Sequence, residues 1–95
     1  MTTLNEQQTH AGALIKINAP IYWYHDKKYS HVNDKFFLVI RCFEFATRDR
    51  VQFDATQLHG VAHGKHSANM YFVVMIGNTV LNLLLNIKDV DFLSD

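Results

Sequence analysis

The alternation of apolar and polar residues along this chain predicts β-strands over most of its length. The clearest strand covers residues 36–46, FFLVIRCFEFA, because aromatic and β-branched side chains suit a pleated sheet. The tetrapeptide TRDR at 47–50 is typical of a turn, and VQFDATQ at 51–57 then alternates cleanly. We expect these two segments to pair as a hairpin, with Ala46 opposite Val51. One face of that hairpin, which we assign to the core, carries Leu38, Ile40, Cys42, Val51, Phe53 and Ala55.

A second hairpin is predicted where two strand-like runs flank a Gly-Asn pair at 77–78. The runs are MYFVVMI at 70–76 and TVLNLLLNI at 79–87, and Gly and Asn tolerate the positive φ of a tight turn. Pairing Ile76 with Thr79 sets the register of the whole hairpin, since side chains alternate between the two faces. The opposed pairs are then Val74 with Leu81, Phe72 with Leu83 and Met70 with Leu85.

The other segments give weaker patterns. Residues 13–24, ALIKINAPIYWY, favour strand, but Pro20 cannot donate to a ladder, which predicts an edge strand or two short strands joined by a bulge. The polar segment 25–35 and the glycine-containing segment 58–69 are predicted to be loops. The acidic tail at 88–95 is expected to end the sheet.

These elements predict a single domain that is mainly β, with α+β as the alternative class. The chain has 95 residues, a common size for one domain. Residues 1–12 form a polar tail or a short helix, and residues 13–93 form the β domain. Short connections between five to six strands favour a small antiparallel barrel or a strongly bent sheet.

The predicted strands are apolar on both faces, whereas a strand with one face in water should have one polar face. Left exposed, the outward side chains would exceed the patch of a few hundred Å² that a monomer usually shows. Three coverings remain open: another segment of the same chain (the N-terminal residues or the 54–69 loop), a second copy of the protein, or a different protein. The outward set that we assign to an interface is Phe37, Val39, Phe43, Phe45, Tyr71, Val73, Met75 and Leu84.

Charge and composition argue against several functional classes. Nine basic and nine acidic residues give zero formal charge, which argues against nucleic-acid binding because phosphate contacts need a basic excess. The lysines at 27, 28 and 35 fall in one segment, but aspartates at 26 and 34 dilute them. A single cysteine gives no internal disulfide, and residues 1–12 lack the features of a signal peptide. The apolar runs are shorter than the roughly 20 residues of a spanning helix, so we expect a soluble cytoplasmic protein without membrane contact.

Two clusters are candidates for binding chemistry. His59, His63 and His66 have a spacing that could bring imidazoles around zinc or nickel, although Gly60 and Gly64 make a helix there doubtful. The run Tyr22, Trp23, Tyr24 and His25 offers aromatic faces with polar tips, which can line a small-molecule pocket. The same rings would equally suit an edge strand that buries its rings and exposes its hydroxyls.

Catalytic chemistry has little support in the sequence. Glu44 falls on the predicted core face, where desolvation would suit a general acid or base, unless the strand end lets its carboxylate reach water. Cys42 lies inside an apolar strand and is expected to act as a small hydrophobe. No phosphate-binding loop, serine-nucleophile motif or cofactor motif occurs. The sequence therefore predicts a non-enzymatic interaction module, homodimeric or bound to another protein, with a small-ligand-binding barrel as the alternative.

Overall fold

The strand-forming segments assemble into one sheet. A computed structural model describes residues 10–44 and 57–94, and within these ranges the protein is mainly β, a curled open sheet of eight strands. The predicted class is confirmed, and the predicted number of strands is too low. In chain order the strands are β1 (Leu14–Ile17), β2 (Pro20–Trp23), β3 (Lys28–His31), β4 (Phe37–Glu44), β5 (Gly60–Ala62), β6 (Met70–Ile76), β7 (Thr79–Leu85) and β8 (Val90–Ser94). Their order in the sheet is β3-β2-β5-β7-β6-β4-β1-β8.

The hairpin of β6 and β7 has the predicted register. Ile76 lies opposite Thr79, and Phe72 lies opposite Leu83, as the alternation requires. Gly77 has a φ of 60°, the left-handed conformation that a tight turn uses and that glycine adopts without strain. The inner face of the hairpin is buried, because Phe72, Val74, Leu83 and Leu85 are each 0% exposed.

The strand-like segment 13–24 is divided into β1 and β2 just before Pro20, which confirms the predicted two short strands, but no bulge joins them, because they pair with different strands. β1 pairs with β4 and β8, whereas β2 pairs with β3 and β5. The two strands are only two residues apart in the chain, yet they lie second from opposite ends of the sheet. The sheet must therefore curl, and Ile15, Ile17 and Ile21, all 0% exposed, line its concave side.

Three strands occupy segments for which the sequence pattern predicted no separate strand. β3 lies within 25–35 and β5 within 58–69, so the predicted loops are wrong at these positions. β8 lies within 88–95, the segment expected to end the sheet, and it forms one edge of the sheet. β5 also pairs in parallel with β7, which the all-antiparallel prediction excluded. All three are short: β5 has three residues, β3 four and β8 five. Such segments gain their hydrogen bonds from neighbours that are distant in the chain, so local alternation does not reveal them.

A β-bulge in β4 exchanges the faces of the strand. The register against β6 shifts between Val39 and Arg41, which leaves Ile40 as the extra residue. Before the bulge Phe37 and Val39 are buried at 1% and 0% exposure, and beyond it Cys42 is buried at 1%. The predicted core face is therefore right at Cys42 and wrong at Leu38 and Ile40, which are exposed. The remaining predicted core residues of that face, Val51, Phe53 and Ala55, lie outside the described residues, as do residues 1–9.

A buried carboxylate lies at the edge of the core, just before β8 in the chain. Asp89 closes a short 3₁₀ helix at Ile87–Asp89 and is only 7% exposed. The loop after β5 passes directly over it, and this approach is possible because residue 64 is glycine. In the described parts of the chain no helix is long and apolar enough to cross a membrane.

Candidate interaction surfaces

The outer face of the sheet carries a row of apolar side chains across four adjacent strands. Leu14 of β1 lies opposite Leu38 of β4, Leu38 opposite Met75 of β6, and Met75 opposite Val80 of β7. Leu14, Leu38 and Val80 are 40%, 38% and 44% exposed. Two more exposed side chains lie beside this row. Ile40 at the bulge is 36% exposed, and Phe36 just before β4 is 54% exposed. We call these residues the apolar strip: Leu14, Phe36, Leu38, Ile40, Met75 and Val80.

A second outward row crosses six strands. Phe43 lies opposite Tyr71, Tyr71 opposite Leu84, and Leu84 opposite Val61. The Phe43 and Tyr71 rings are stacked, with centroids 4.9 Å apart and planes 12° from parallel. Tyr71 is only 5% exposed although it points away from the core cluster, so this part of the outer face is covered. The row continues through β2 and β3 with Tyr22 and Tyr29.

The predicted interface residues divide between the two sides of the sheet. Phe37 and Val39 belong to the core, so their assignment to an outward interface is wrong, and the bulge is the reason. Tyr71 lies on the outer face but is buried within the chain. Phe45 lies outside the described residues. The other four predicted interface residues lie half-buried on the outer face: Phe43, Val73, Met75 and Leu84.

Four aromatic rings meet on the outer face of β2, β3 and the end of β5. Tyr22 lies at the centre, with ring centroids 5.6 Å from Tyr24, 4.9 Å from Tyr29 and 6.4 Å from His63. Tyr29 and His63 also touch, at 5.2 Å and 78°. Tyr24 and Tyr29 are 43% and 57% exposed. We call these four residues the tyrosine cluster.

Strand alternation determines which aromatic residues join this cluster. Ile21 and Trp23 point to the inner side of β2, so Tyr22 and Tyr24 point outward. The Trp23 indole Nε1–H donates a 2.6 Å hydrogen bond to Ser30 Oγ, which ties β2 to β3 from the side opposite to the cluster. Of the predicted ligand residues, Trp23 is therefore a structural residue, while Tyr22 and Tyr24 share the outer face.

Beside the cluster lies a shallow open depression of about 530 Å³. His59 at its wall is held by Asn82, whose backbone N–H donates to His59 Nδ1 at 2.9 Å. The Asn82 side-chain amide donates to the Gln57 carbonyl oxygen at 2.9 Å. The depression is lined by Tyr24, His25, Gln57, Leu58, His59 and Asn82.

The three candidate metal ligands are not assembled into one site. His59 is bonded to the backbone of β7, His63 packs in the tyrosine cluster, and His66 is exposed in the loop beyond Gly64. Among the residues with described positions, no group of three or more His, Cys, Asp or Glu side chains could hold a metal ion. The described positions thus separate the three histidines that the spacing could have brought together.

Neither of the residues considered for catalysis is placed for it. Glu44 is exposed at the end of β4, opposite Met70, which matches the strand-end alternative. Cys42 is a free, buried thiol, and desolvation raises its pKa from 9.0 to about 11. A thiol with a raised pKa remains protonated at neutral pH and is a poor nucleophile.

Tyr29 and His63 are the members of the tyrosine cluster that the ligand prediction omitted. Both occupy segments predicted to be loops, and only the pairing of β2 with β3 and β5 brings them beside Tyr22. No protein-family model, no curated protein and no solved structure matches this chain. The function must therefore be inferred from the apolar strip, the tyrosine cluster and the depression.

Proposed function

We propose that this chain is a non-enzymatic cytoplasmic interaction module that forms a homodimer through the apolar strip. The observation that carries the proposal is the unbroken cross-strand row from Leu14 through Leu38 and Met75 to Val80. Three of its members are about two-fifths exposed in the single chain. Removing apolar surface of this kind from water lowers the free energy of the protein by roughly 25 cal/mol for each Å².

A second copy is the occupant that this surface fits best. A two-fold interface brings the same patch together from both subunits, so the patch must be complementary to itself. The apolar strip is compatible with that condition, because its six members carry no charge and a two-fold contact places no like charges of the strip opposite one another. The Lys16 ammonium lies 5.1 Å from the Phe36 ring centroid, where a cation–π contact holds it at the margin of the strip.

Analytical ultracentrifugation over a concentration series tests the dimer. We expect the wild-type chain to dimerise and the Leu38→Asp variant to be monomeric with an unchanged far-UV circular dichroism spectrum. A central contact of this kind contributes about 2 kcal/mol or more, so the dimer dissociation constant should rise at least about 30-fold. Met75→Asp, on the adjacent strand of the same row, should have a similar effect.

Tyr29→Asp is the matched control, because Tyr29 is an exposed outer-face side chain that lies outside the apolar strip. This variant should dimerise like the wild type. A monomeric wild-type chain at all concentrations, or a dimer that Tyr29→Asp dissociates and Leu38→Asp does not, would overturn the proposal.

The depression beside β7 supports small-ligand binding as a second candidate function. Two of the predicted ligand residues, Tyr24 and His25, line it together with two amides and a second imidazole. An aromatic face with a few convergent polar groups is a common composition for a small-molecule site. A metabolite that raises the melting temperature of the wild type, and not of Tyr24→Ala, would support this function.

A further inference from the structure

The tyrosine cluster leaves two large rings partly in water on a rigid base. Tyr24 and Tyr29 are 43% and 57% exposed, and each packs against the half-buried Tyr22 between them. The same strand pair buries Ile21 and ties Trp23 to Ser30 on its other side. The rings are therefore held in position before any ligand binds, which lowers the entropy lost on binding.

The close approach of β5 to β2 completes the cluster. A Cβ on Gly60 would lie 2.7 Å from Ile21 Cγ2 and 2.9 Å from the Tyr22 carbonyl oxygen, so only glycine fits there without displacement. The chain then continues through Ala62, and the His63 backbone N–H donates to the Pro20 carbonyl oxygen at 2.8 Å. This contact anchors His63 edge-on to the Tyr22 and Tyr29 rings.

The short distances between these rings limit the kinds of ligand that can bind to them. Ring centroids only 4.9 to 6.4 Å apart are in direct packing contact, so no cation fits between them as in an aromatic cage. What remains accessible is the outer surface of Tyr24 and Tyr29. Flat ligands can stack there, and every nucleobase offers a π-face for such stacking.

Charge is distributed unevenly along the sheet, although the formal net charge is zero. The segments 18–35 and 57–69, which form β2, β3, β5 and their loops, contain four lysines, two aspartates and five of the six histidines. Around β1 and β8 the formal charges balance, because Lys16 and Lys88 match Asp89 and Asp91. The carboxylate of Asp89 is buried against Gly64 of the loop after β5. The segments that carry the tyrosine cluster therefore hold a small formal excess of lysines over aspartates. The four lysines are Lys27, Lys28, Lys35 and Lys65.

We propose that the tyrosine cluster is a stacking platform for the bases of a single-stranded nucleic acid, with its phosphates contacted by the lysines of the β2–β3 turn and of the loop after β5. Lys27 occupies that turn with a φ of 57°, and its backbone N–H donates to the Trp23 carbonyl oxygen at 2.7 Å. Lys65 follows His63 by two residues. Overall neutrality predicts weak binding that depends on salt, since few phosphates are neutralised.

Fluorescence anisotropy with labelled oligo-dT and oligo-U of about 16 nucleotides, the upper end of site sizes for a small β-barrel domain, tests the platform. We expect binding at low salt, and a loss of affinity of about 5- to 150-fold in Tyr29→Ala and in Tyr24→Ala. Tyr29→Phe keeps the ring and should retain the affinity. Phe36→Ala removes an equally exposed ring elsewhere on the sheet and is the matched control.

Salt dependence tests the phosphate contacts separately. For a single strand, each lost phosphate contact lowers the slope of log affinity against log salt by about 0.7, and we expect this change in Lys27→Ala and in Lys65→Ala. Binding of either oligonucleotide with these responses supports the proposal, and the ratio of the two affinities shows whether DNA or RNA is preferred.

Three results would overturn the platform: no oligonucleotide binding at low salt, affinity that is indifferent to both Tyr→Ala changes, or equally tight binding of AMP or a neutral oligosaccharide. The AMP result would instead favour the small-ligand site in the depression. The platform and the dimer are distinguishable, because Leu38→Asp should separate the dimer and leave the oligonucleotide affinity of each chain unchanged.

Discussion

Gly64 lies against the buried carboxylate of Asp89, and replacing it with alanine should destabilise the protein. A Cβ at residue 64 would lie 2.6 Å from Asp89 Oδ2 and 2.9 Å from the Cβ of Ala19. The Cβ of Ala19 moves only with its backbone, and the backbone of Asp89 is also held in place. The Asp89 backbone N–H donates to the Asn86 carbonyl oxygen at 2.9 Å, and its carbonyl oxygen accepts from the Asn18 N–H at 2.7 Å. The new methyl group must therefore displace either the carboxylate or the loop.

The magnitude follows from the cost of overpacking, which is about 1–3 kcal/mol when an added methyl group forces side chains or backbone to shift. For a domain of about 60–100 residues, each kcal/mol lowers the melting temperature by about 4–8 °C. Urea unfolding, followed by the fluorescence of the single tryptophan, measures the change in the free energy of unfolding. Trp23 is a suitable reporter because it is partly buried against the core and hydrogen-bonded to Ser30.

A double-mutant cycle assigns this destabilisation to the contact with Asp89. The Oδ2 atom of Asp89 is buried and finds no hydrogen-bond partner among residues 10–44 and 57–94, so Asp89→Ala removes both the crowded atom and an acceptor without a described partner. Gly64→Ala should then be less destabilising, by about 0.5–3 kcal/mol, in the Asp89→Ala background. Some cost should remain, because the contact with Ala19 persists.

Ser67→Ala, an exposed substitution in the same loop, is the control and should change stability by less than about 0.5 kcal/mol. If Gly64→Ala and Asp89→Ala prove additive within about 0.5 kcal/mol, the steric argument is refuted. A neutral Gly64→Ala would refute it equally.

Three further predictions concern the core. Gly60→Ala should lower the free energy of unfolding by about 1–3 kcal/mol in urea titrations, because its Cβ would lie 2.9 Å from the Tyr22 backbone oxygen, which cannot rotate away. Val39→Asp should abolish the folded circular dichroism spectrum, whereas Leu38→Asp should preserve it; the opposite result would disprove the bulge. Because burial raises the pKa of Cys42 from 9.0 to about 11, the folded state holds the thiol proton more tightly, so this contribution to stability is complete below pH 9 and is lost as pH rises towards 11. Urea titrations should show this loss at up to about 1.4 kcal/mol for each pH unit, and Cys42→Ala should lack it.

Part of the candidate sites could be predicted from local residues. Tyr22, Tyr24 and His25 lie within four consecutive positions, and their aromatic and polar character is enough to indicate a binding region. Tyr29 and His63 carry no such signal, since a tyrosine among lysines and a histidine between glycines are ordinary in loops. They become site residues only because β3 and β5 pair with the two sides of β2. The strand pairing likewise decides that His59 and His63 lie apart, which their spacing in the sequence does not reveal.

The sequence by itself determined the mainly β class, the β6–β7 hairpin with its register and the presence of apolar side chains on both faces of the sheet. These properties depend on residues close together in the chain. The Gly-Asn turn sets the hairpin register, and the alternation of residue types defines the strands and their faces. Only the tertiary structure decided which side of β4 faces the core, because one extra residue at Ile40 exchanges the two faces and both are apolar. Tertiary pairing also created β3, β5 and β8, whose backbone hydrogen bonds come from strands far away in sequence.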